Sequence, residues 1–221
     1  IIEYIIDDEP KLVDKTITGF VDEVSMDSPA PGGGSISALA ASLSVSLVSM
    51  VANLTYNKKE FSKDRPKINK IALKAQDLKN NFLYLIDRDT EAFNQLMQSF
   101  RLSKKTAKEI AYRNSQILKM SKLVTEVPYN TLEKTLLSMD LVSEVLNLGN
   151  KNCISDAGVA AEMAYASAYG AYYNVKINLL DLKSEKKYCK EMNSKIEFLI
   201  KDMDNKISKI RKIVNKDLSH E

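Results

Sequence analysis

The chain has 221 residues, of which 44% are hydrophobic and 28% are charged, a balance typical of a globular protein rather than a disordered one. Its formal net charge of +3 is small for this length and gives no reason to expect a nucleic-acid partner. We therefore expect residues 1–221 to form a single domain around one hydrophobic core.

The histidine and cysteine content excludes several kinds of active site. The one histidine, His220, is next to the last residue, which excludes histidine-rich metal motifs and Ser-His-Asp triads. Cys153 and Cys189 are too few for a disulfide framework or a zinc site. Acidic residues interrupt the apolar start of the chain, so we expect no signal peptide and a reducing, cytoplasmic location. Proton transfer must then depend on carboxylate, Lys, Tyr, Cys or water.

Apolar residues recur at helical spacing along most of the chain, and the alternating runs typical of strands are absent. We therefore predict an all-α fold. The first amphipathic helix covers Leu12 to Val24 and is followed by the extended segment Ser28-Pro-Ala-Pro31. No residue from Ser28 to Asn57 is charged, and the second helix occupies most of this stretch.

Prolines and glycines delimit the middle helices. A third helix begins after Pro66 and continues, with or without a break, to about Leu102. A fourth covers roughly Thr106 to Glu126. Pro128 is predicted to start a fifth helix, which ends at Leu148-Gly149-Asn150, a typical C-terminal signal.

The last two helices differ in composition. The sixth begins at Ser155-Asp156, a pair typical of an N-cap and a first-turn acid. The final helix is rich in lysine and has an apolar stripe, which predicts packing on the body or on a second subunit. The stripe consists of Met192, Ile196, Leu199, Met203, Ile207, Ile210 and Val214.

The uncharged second helix is the most unusual segment. Its length first suggests a membrane span, but six serines between Ser35 and Ser49 favour a helix that other helices surround. Small residues follow one of its faces, and alanines from Ala157 to Ala171 form a matching face on the sixth helix. We therefore predict a helical bundle with this helix at its centre.

The turn Pro31-Gly32-Gly33-Gly34-Ser35 introduces the second helix. A glycine inside a helix costs roughly 1 kcal/mol, so three in succession require a reason. Bare backbone N–H groups at a helix N-terminus favour an anion, but a tight turn between packed helices also requires glycine. Spacing alone leaves both explanations open.

Asp89 is a carboxylate on an apolar stripe of the third helix. It lies seven residues after Phe82 and seven before Leu96, so the three share one face. A core-facing carboxylate finds partners or acquires a raised pKa, as is common at functional sites, although a buried ion pair or a helix cap remains the structural alternative. Asp87 is about 200° away around the helix and is predicted to face solvent.

Four stretches together resemble the cyclodeaminase/cyclohydrolase family of folate enzymes. They are Ser28-Pro-Ala-Pro-Gly-Gly-Gly-Ser35, Asp87-Arg-Asp-Thr-Glu-Ala-Phe93, Gly149-Asn-Lys-Asn-Cys-Ile-Ser-Asp-Ala-Gly158 and Asn174-Val-Lys-Ile-Asn-Leu179. They follow the family's order, and the similarity covers nearly the whole chain except its Lys-rich end. One departure is Ser103, at which the family usually has proline.

The resemblance implies one central helix ringed by others, usually in a homodimer, and a tetrahydrofolate substrate without a further cofactor or a metal. It also implies one of two reactions of one-carbon metabolism. A cyclohydrolase hydrolyses 5,10-methenyltetrahydrofolate to 10-formyltetrahydrofolate, whereas a cyclodeaminase closes 5-formiminotetrahydrofolate to the methenyl compound and expels ammonia. Because the sequence contains no formiminotransferase domain, we expect the cyclohydrolase.

This chemistry fits a site without histidine. Both reactions pass through a tetrahedral carbon between two nitrogens, beside a cationic amidinium that a carboxylate can stabilise while it moves a proton. We expect Asp89 to be the principal acid/base and Asp156 to orient the substrate or the water. The expected substrate-binding residues are Gly32, Gly33, Gly34, Ser35, Arg101, Lys104, Lys151, Ser155 and Asn178.

A non-catalytic helical scaffold is the alternative from another functional class. Its support is the apolar stripe of the Lys-rich last helix, which could mark a partner surface. It leaves Asp89 and the three glycines unexplained. We expect neither nucleic acid nor a membrane as a partner.

Overall fold

The computed structural model describes residues 11–148 and 150–219. These residues form α1 (Ile17–Val24), α2 (Gly33–Tyr56), α3 (Arg65–Phe100), α4 (Ala107–Leu146), α5 (Ile154–Leu180) and α6 (Lys186–Leu218). Short 3-10 turns cover Leu12–Asp14, Lys59–Asp64 and Lys151–Cys153. This part of the chain contains no strand, so the all-α prediction is confirmed. The expectations stated for His220, Gly149 and the start of the chain concern residues outside the described ranges.

Helix α2 is the centre of the bundle, as predicted. Helices α3 and α5 pack along two of its sides, and α4 packs along a third. The α5 contact is antiparallel and close: the Ser44 hydroxyl donates to the Ala160 carbonyl at 2.7 Å. Ser37 Oγ also lies so near Gly170 that a side chain there would overlap it. Small residues on both helices therefore allow the backbone approach that their matching faces predicted.

The fourth side of α2 faces outward and is apolar. Ile36, Leu43, Met50 and Leu54 follow this side at helical spacing and are 37–50% exposed; we call them the α2 stripe. By length and composition, α2 is the one helix in the described ranges that could cross a membrane, and 61% of its most apolar window is buried among the other helices.

The division of the fourth and fifth helices at Pro128 is wrong, because Pro128 lies inside the continuous helix α4. A proline has no N–H, so the carbonyl of Val124, four residues earlier, loses its helical partner. Asn178 of α5 replaces that partner, since its Nδ2 donates to the Val124 carbonyl at 2.6 Å. One side chain from a neighbouring helix thus allows α4 to continue for 40 residues.

Other predicted helix ends also shift. Ser155 is not an N-cap, because the 3-10 turn at Lys151–Cys153 continues directly into α5 and places Cys153 at the N-cap position. Helix α3 runs without a break. Gly32 is the N-cap of α2, while Gly33 and Gly34 form its first turn.

The predicted stripe of the last helix packs on the body of the molecule. Helix α6 contacts α5 and α4. Its buried side chains are Met192, Ile196, Ile200, Met203, Ile207 and Ile210. They join the hydrophobic core that the other helices share.

Candidate active site

The first turn of α2 lies against side chains of α3 and α5. A Cβ atom on Gly33 would lie 2.9 Å from Nδ2 of Asn174, and a Cβ atom on Gly34 would overlap the carboxylate of Asp89. A Cβ atom on Gly32 would meet nothing closer than the carbonyl oxygen of Pro29, at 3.4 Å. Two of the three consecutive glycines are therefore required because polar side chains approach the α2 backbone.

Asp89 faces inward, as its position on the apolar stripe predicted. The Ser35 hydroxyl lies 3.3 Å from Oδ2 of Asp89, 2.8 Å from the Ile86 carbonyl and 3.3 Å from Oγ1 of Thr90. Burial raises the pKa of Asp89 above the ordinary carboxyl value, although hydrogen bonds from the hydroxyl and the amide of Ser35 oppose this effect. Asp89 is therefore a carboxylate that holds its proton more strongly than a solvated one.

The N-terminus of α2 places hydrogen-bond donors beside this carboxylate. The first bond of the helix runs from the Ile36 N–H to the Gly32 carbonyl at 3.1 Å, so the N–H groups of Gly33 and Gly34 precede it. The N-cap residue Gly32 has no side chain to cap this end of the helix, while the Asp89 carboxylate accepts from the Ser35 N–H. Backbone donors and the helix dipole together favour negative charge at this point. A base and a set of donors therefore share one small region.

Asp87 is not the fully exposed side chain that was predicted, but lies at the edge of a cavity. It is half-buried, and its Oδ1 accepts the Leu12 N–H at 2.7 Å. Burial raises the pKa of Asp87, while the backbone N–H groups of Leu12 and Val13 oppose this rise. The pattern of α3 could not reveal the contact, because its partner is 75 residues away in the chain.

The two asparagines of the fourth family-like stretch have different positions. The amide of Asn178 is bonded to the Val124 carbonyl, so the structure gives this predicted binding residue a structural contact. Asn174, which the sequence analysis did not select, lies beside Gly33 and donates to the Gly170 carbonyl at 2.8 Å. A signal for it existed, because Asn174 precedes Asn178 by one helical turn on the same face.

Within one copy of the protein, Asp156 lies far from Asp89 in space. Helices α2 and α5 are antiparallel, so the N-terminus of α5 lies beside the C-terminus of α2. Asp156 and Asn174 are separated by about 27 Å along α5, at a rise of 1.5 Å per residue. Lys151 and Ser155 occupy the same end as Asp156, opposite Asp89.

Polar side chains also collect at this opposite end, which we call the far end. The buried Asn150 donates through Nδ2 to the Thr55 hydroxyl at 2.8 Å and accepts from Nζ of Lys58 at 2.7 Å. Arg101 and Lys104 belong to neither end. They follow the last turn of α3, and Arg101 lies about 18 Å beyond Asp89 along the helix. The predicted site residues thus form three separate groups in one chain.

Metal binding was not expected from the sequence. In residues 11–148 and 150–219, no group of three or more His, Cys, Asp or Glu side chains is arranged to hold a metal ion. The candidate site therefore consists of a carboxylate, hydroxyls, amides and backbone N–H groups.

Several known proteins are similar to this chain. The family model described as formiminotransferase-cyclodeaminase matches residues 16–198. The methenyltetrahydrofolate cyclohydrolase of Methylorubrum extorquens is 34% identical over 84% of this chain and 89% of the relative. The formimidoyltransferase-cyclodeaminase of Mus musculus is 32% identical over 84% of this chain, but the match spans only 35% of that protein.

A solved structure has the same fold. The formiminotetrahydrofolate cyclodeaminase of Thermotoga maritima superimposes with a TM-score of 0.77, over 95% of this chain and 98% of that one. The two sequences are 23% identical, so this likeness concerns the fold alone.

Proposed function

Because the chain belongs to the formiminotransferase-cyclodeaminase family, we propose that it is an enzyme that hydrolyses 5,10-methenyltetrahydrofolate to 10-formyltetrahydrofolate in one-carbon metabolism. The cyclohydrolase relative supports this choice, because the similarity covers most of both chains. The observation that carries the proposal is the inward-facing Asp89 carboxylate, which lies against the first turn of α2 beside the N–H groups of Gly33 and Gly34.

The reaction requires water to attack the methenyl carbon, which lies between N5 and N10 of the substrate. In the proposed mechanism, Asp89 accepts a proton from the attacking water as the new C–O bond forms. The same carboxyl then donates a proton to N5 as the C–N5 bond breaks, and the remaining hydroxyl proton passes to solvent. The raised pKa of Asp89 suits the first step, because a stronger base accepts the proton more readily.

Electrostatics also favour this site for a cationic substrate. The ionised carboxylate stabilises the amidinium of the bound substrate, since opposite charges attract more strongly where water is excluded. The N–H groups of Gly33 and Gly34 can donate to the oxygen that becomes the formyl oxygen. The base and the donors thus act on the same carbon atom and the oxygen that it gains.

Cyclodeaminase activity is the second candidate. The curated relatives with that name support it, and the same carboxylate could move a proton from N10 to the departing ammonia. For the cyclodeaminases, however, the match spans about a third of each curated relative, as in Mus musculus. The cyclohydrolase relative is 34% identical and is matched over 89% of its length.

The test of function is spectroscopic. Loss of methenyltetrahydrofolate absorbance is followed with wild-type protein, with Asp89→Asn and with Asp77→Asn as an exposed control on the same helix. We expect rapid hydrolysis for wild type and the control, and a loss of about 10²–10⁴-fold for Asp89→Asn. A wild-type rate equal to the spontaneous rate contradicts the proposal, and ammonia release from 5-formiminotetrahydrofolate would favour the second candidate.

The α2 stripe supports a homodimer as part of this proposal. The outer face of α2 is about 36 Å long, and together with the adjoining helices it is two helices wide. It therefore offers on the order of 700 Å² of surface per copy, close to the area of a standard protein–protein interface. Because this face is uncharged, the same faces of two copies can pack against each other without repulsion between like charges. Leu43→Glu at its centre is expected to give a monomer in light scattering, whereas Phe198→Glu, an exposed residue on α6, should not.

An antiparallel arrangement of two copies would complete the site. A two-fold axis across the middle of the α2 stripe places Ile36 of one copy against Leu54 of the other, because a symmetric interface repeats each contact. The far end of one copy would then lie beside Asp89 of its partner. Asp156, which lies about 27 Å from Asn174 in one chain, would join the site in the dimer.

The remaining expectations are part of the same proposal. We infer a cytoplasmic enzyme that acts without a metal or further cofactor and that binds neither nucleic acid nor a membrane. Two free cysteines, Cys153 and Cys189, are compatible with a reducing compartment. Full activity after dialysis against a chelator is the expected result, and a loss restored by a divalent cation would contradict it.

A further inference from the structure

A cavity of about 610 Å³ lies between the segment that precedes α2 and the outer face of α3; we call it the α3 cavity. Thr90 lines it, and Oγ1 of Thr90 is 3.3 Å from the Ser35 hydroxyl, which also contacts Asp89. The α3 cavity therefore adjoins the proposed acid/base. Its volume falls within the range of about 300–1,000 Å³ that is usual for small-molecule sites.

Most acidic side chains of the α3 cavity have a cationic partner. Glu23 lies 3.1 Å from Nζ of Lys15, and Glu91 lies 3.1 Å from Nη1 of Arg88. Asp87 is different, since no ion pair of Asp87 occurs in residues 11–148 and 150–219. The close partners of Asp87 are therefore backbone N–H groups, those of Leu12 and Val13, rather than a paired cation.

Asp87 is also held in place. Its Oδ1 accepts the Leu12 N–H at 2.7 Å, which fixes the carboxylate between the first 3-10 turn and α3. Each carboxylate oxygen can accept two hydrogen bonds, so acceptor positions remain for a ligand beside those that the N–H groups of Leu12 and Val13 occupy. Burial raises the pKa of Asp87, and the charge of Lys11, which lines the same cavity, opposes this rise.

We propose that the α3 cavity receives the pterin end of the folate substrate and that Asp87 recognises its 2-amino group and N3–H. The proposal depends on the folate substrate proposed above. The pterin edge presents two adjacent donors, and a carboxylate presents two acceptors with matching geometry. The proposal requires the ring nitrogen N5 to lie at the side of the α3 cavity that Thr90 lines, next to Asp89 in the chain.

Ligand fragments test this recognition without turnover. Calorimetry compares pterin with its 2-oxo analogue, pteridine-2,4-dione, for wild type and for Asp87→Asn. Asn keeps an oxygen for the Leu12 N–H but presents an amide N–H₂ to the ligand's donors. Wild type is expected to prefer pterin by about tenfold or more, because a charge-assisted pair is lost with the analogue, and Asp87→Asn should lose this preference. Equal binding of both fragments by wild type overturns the proposal.

Steady-state kinetics provides a second test. Asp87→Asn should raise KM for methenyltetrahydrofolate about tenfold or more and change kcat less than threefold, because Asp87 binds the substrate away from the reacting carbon. Asp77→Asn, an exposed acid on the same helix, should change neither. A lower kcat at constant KM for Asp87→Asn would contradict the assignment.

The two proposals can fail separately. If wild-type protein does not accelerate hydrolysis but discriminates the fragments through Asp87, the pterin site stands and the cyclohydrolase function falls. If hydrolysis occurs and the fragments bind equally to wild type and Asp87→Asn, the function stands and the pterin site falls. Thermal unfolding of each variant shows that the fold is intact before either comparison is made.

Discussion

The carboxylate of Asp89 lies directly against the Cα of Gly34, so that even a methyl group on Gly34 would overlap it. Helix propensity alone favours alanine over glycine by about 1 kcal/mol at this position in α2. The glycine is therefore explained by the room that Asp89 requires. The relationship joins two motifs that are more than 50 residues apart in the chain.

Gly34→Ala should therefore reduce activity by about a hundredfold, because the new methyl group displaces the Asp89 carboxylate from its position. The measurement is kcat/KM for methenyltetrahydrofolate hydrolysis. Gly32→Ala is the matched control, since its Cβ would meet nothing closer than 3.4 Å; it should retain activity within about threefold. Full activity of Gly34→Ala would show that the position of Asp89 does not matter.

The pH dependence of hydrolysis should report the pKa of Asp89. The base must be ionised, so kcat/KM is expected to fall as the pH decreases through a pKa above the ordinary value of 3.8. Hydrogen bonds from Ser35 lower this pKa, so Ser35→Ala should shift the acid limb to higher pH. Ser46→Ala, whose hydroxyl bonds only within α2, should leave the limb unchanged. A shift to lower pH in Ser35→Ala would be inconsistent with this role.

Asp89 should also reduce the stability of the protein at neutral pH. Its pKa is raised in the folded state, so between the unfolded and folded pKa values the folded state binds more protons, and stability falls as the pH rises. We expect Asp89→Asn to have a higher unfolding free energy than wild type at pH 7. The gain should disappear as the pH falls through the folded-state pKa toward 3.8.

Urea unfolding at several pH values provides this measurement. The opposite result, a less stable Asp89→Asn at pH 7, would mean that the hydrogen bonds from Ser35 outweigh the cost of burying the charge. A stabilised but inactive variant would place Asp89 among residues that are kept for activity at the expense of stability.

Local patterns predicted much of this fold but not its long-range pairings. The absence of charge identified α2, and the spacing of Asp89 from Phe82 identified its inward face, because both follow from helical periodicity. Periodicity does not show which helix ends meet, so the separation of Asp156 from Asp89 was not predictable. Asp87 was misassigned for the same reason, since its partner Leu12 belongs to a distant segment.

The continuity of α4 depends on the contact between Asn178 and the Val124 carbonyl, which Pro128 leaves without a helical partner. Asn178→Ala should lower the unfolding free energy by about 1–3 kcal/mol, because a buried carbonyl loses its donor. In a Pro128→Ala background, residue 128 has a backbone N–H again. Asn178→Ala should then lower the unfolding free energy much less. Chemical denaturation of the four proteins of this double-mutant cycle measures the coupling. Additive effects would indicate that Asn178 does not compensate for Pro128.

The proposed antiparallel dimer predicts that two inactive variants restore activity when they are mixed. Asp89→Asn and Asp156→Asn are each expected to be nearly inactive alone. A heterodimer of the two would contain one site with both substitutions and one site with neither, because each site takes Asp89 from one copy and Asp156 from the other. After unfolding and refolding together, about half of the dimers are heterodimers, so the mixture should recover about a quarter of wild-type activity.

Recovery of activity in the mixture depends on whether Asp89 and Asp156 of one site come from different copies, not on the stability of the variants. If Asp89 and Asp156 served one site within a single chain, every site in the mixture would lack one of them, and no activity would return. Adding Leu43→Glu, at the centre of the α2 stripe, to both variants provides the control. This substitution places a charge in an apolar interface, where its desolvation is unfavourable, so recovery should be abolished. Recovery that persists in the monomeric variants would contradict a site completed by the partner subunit.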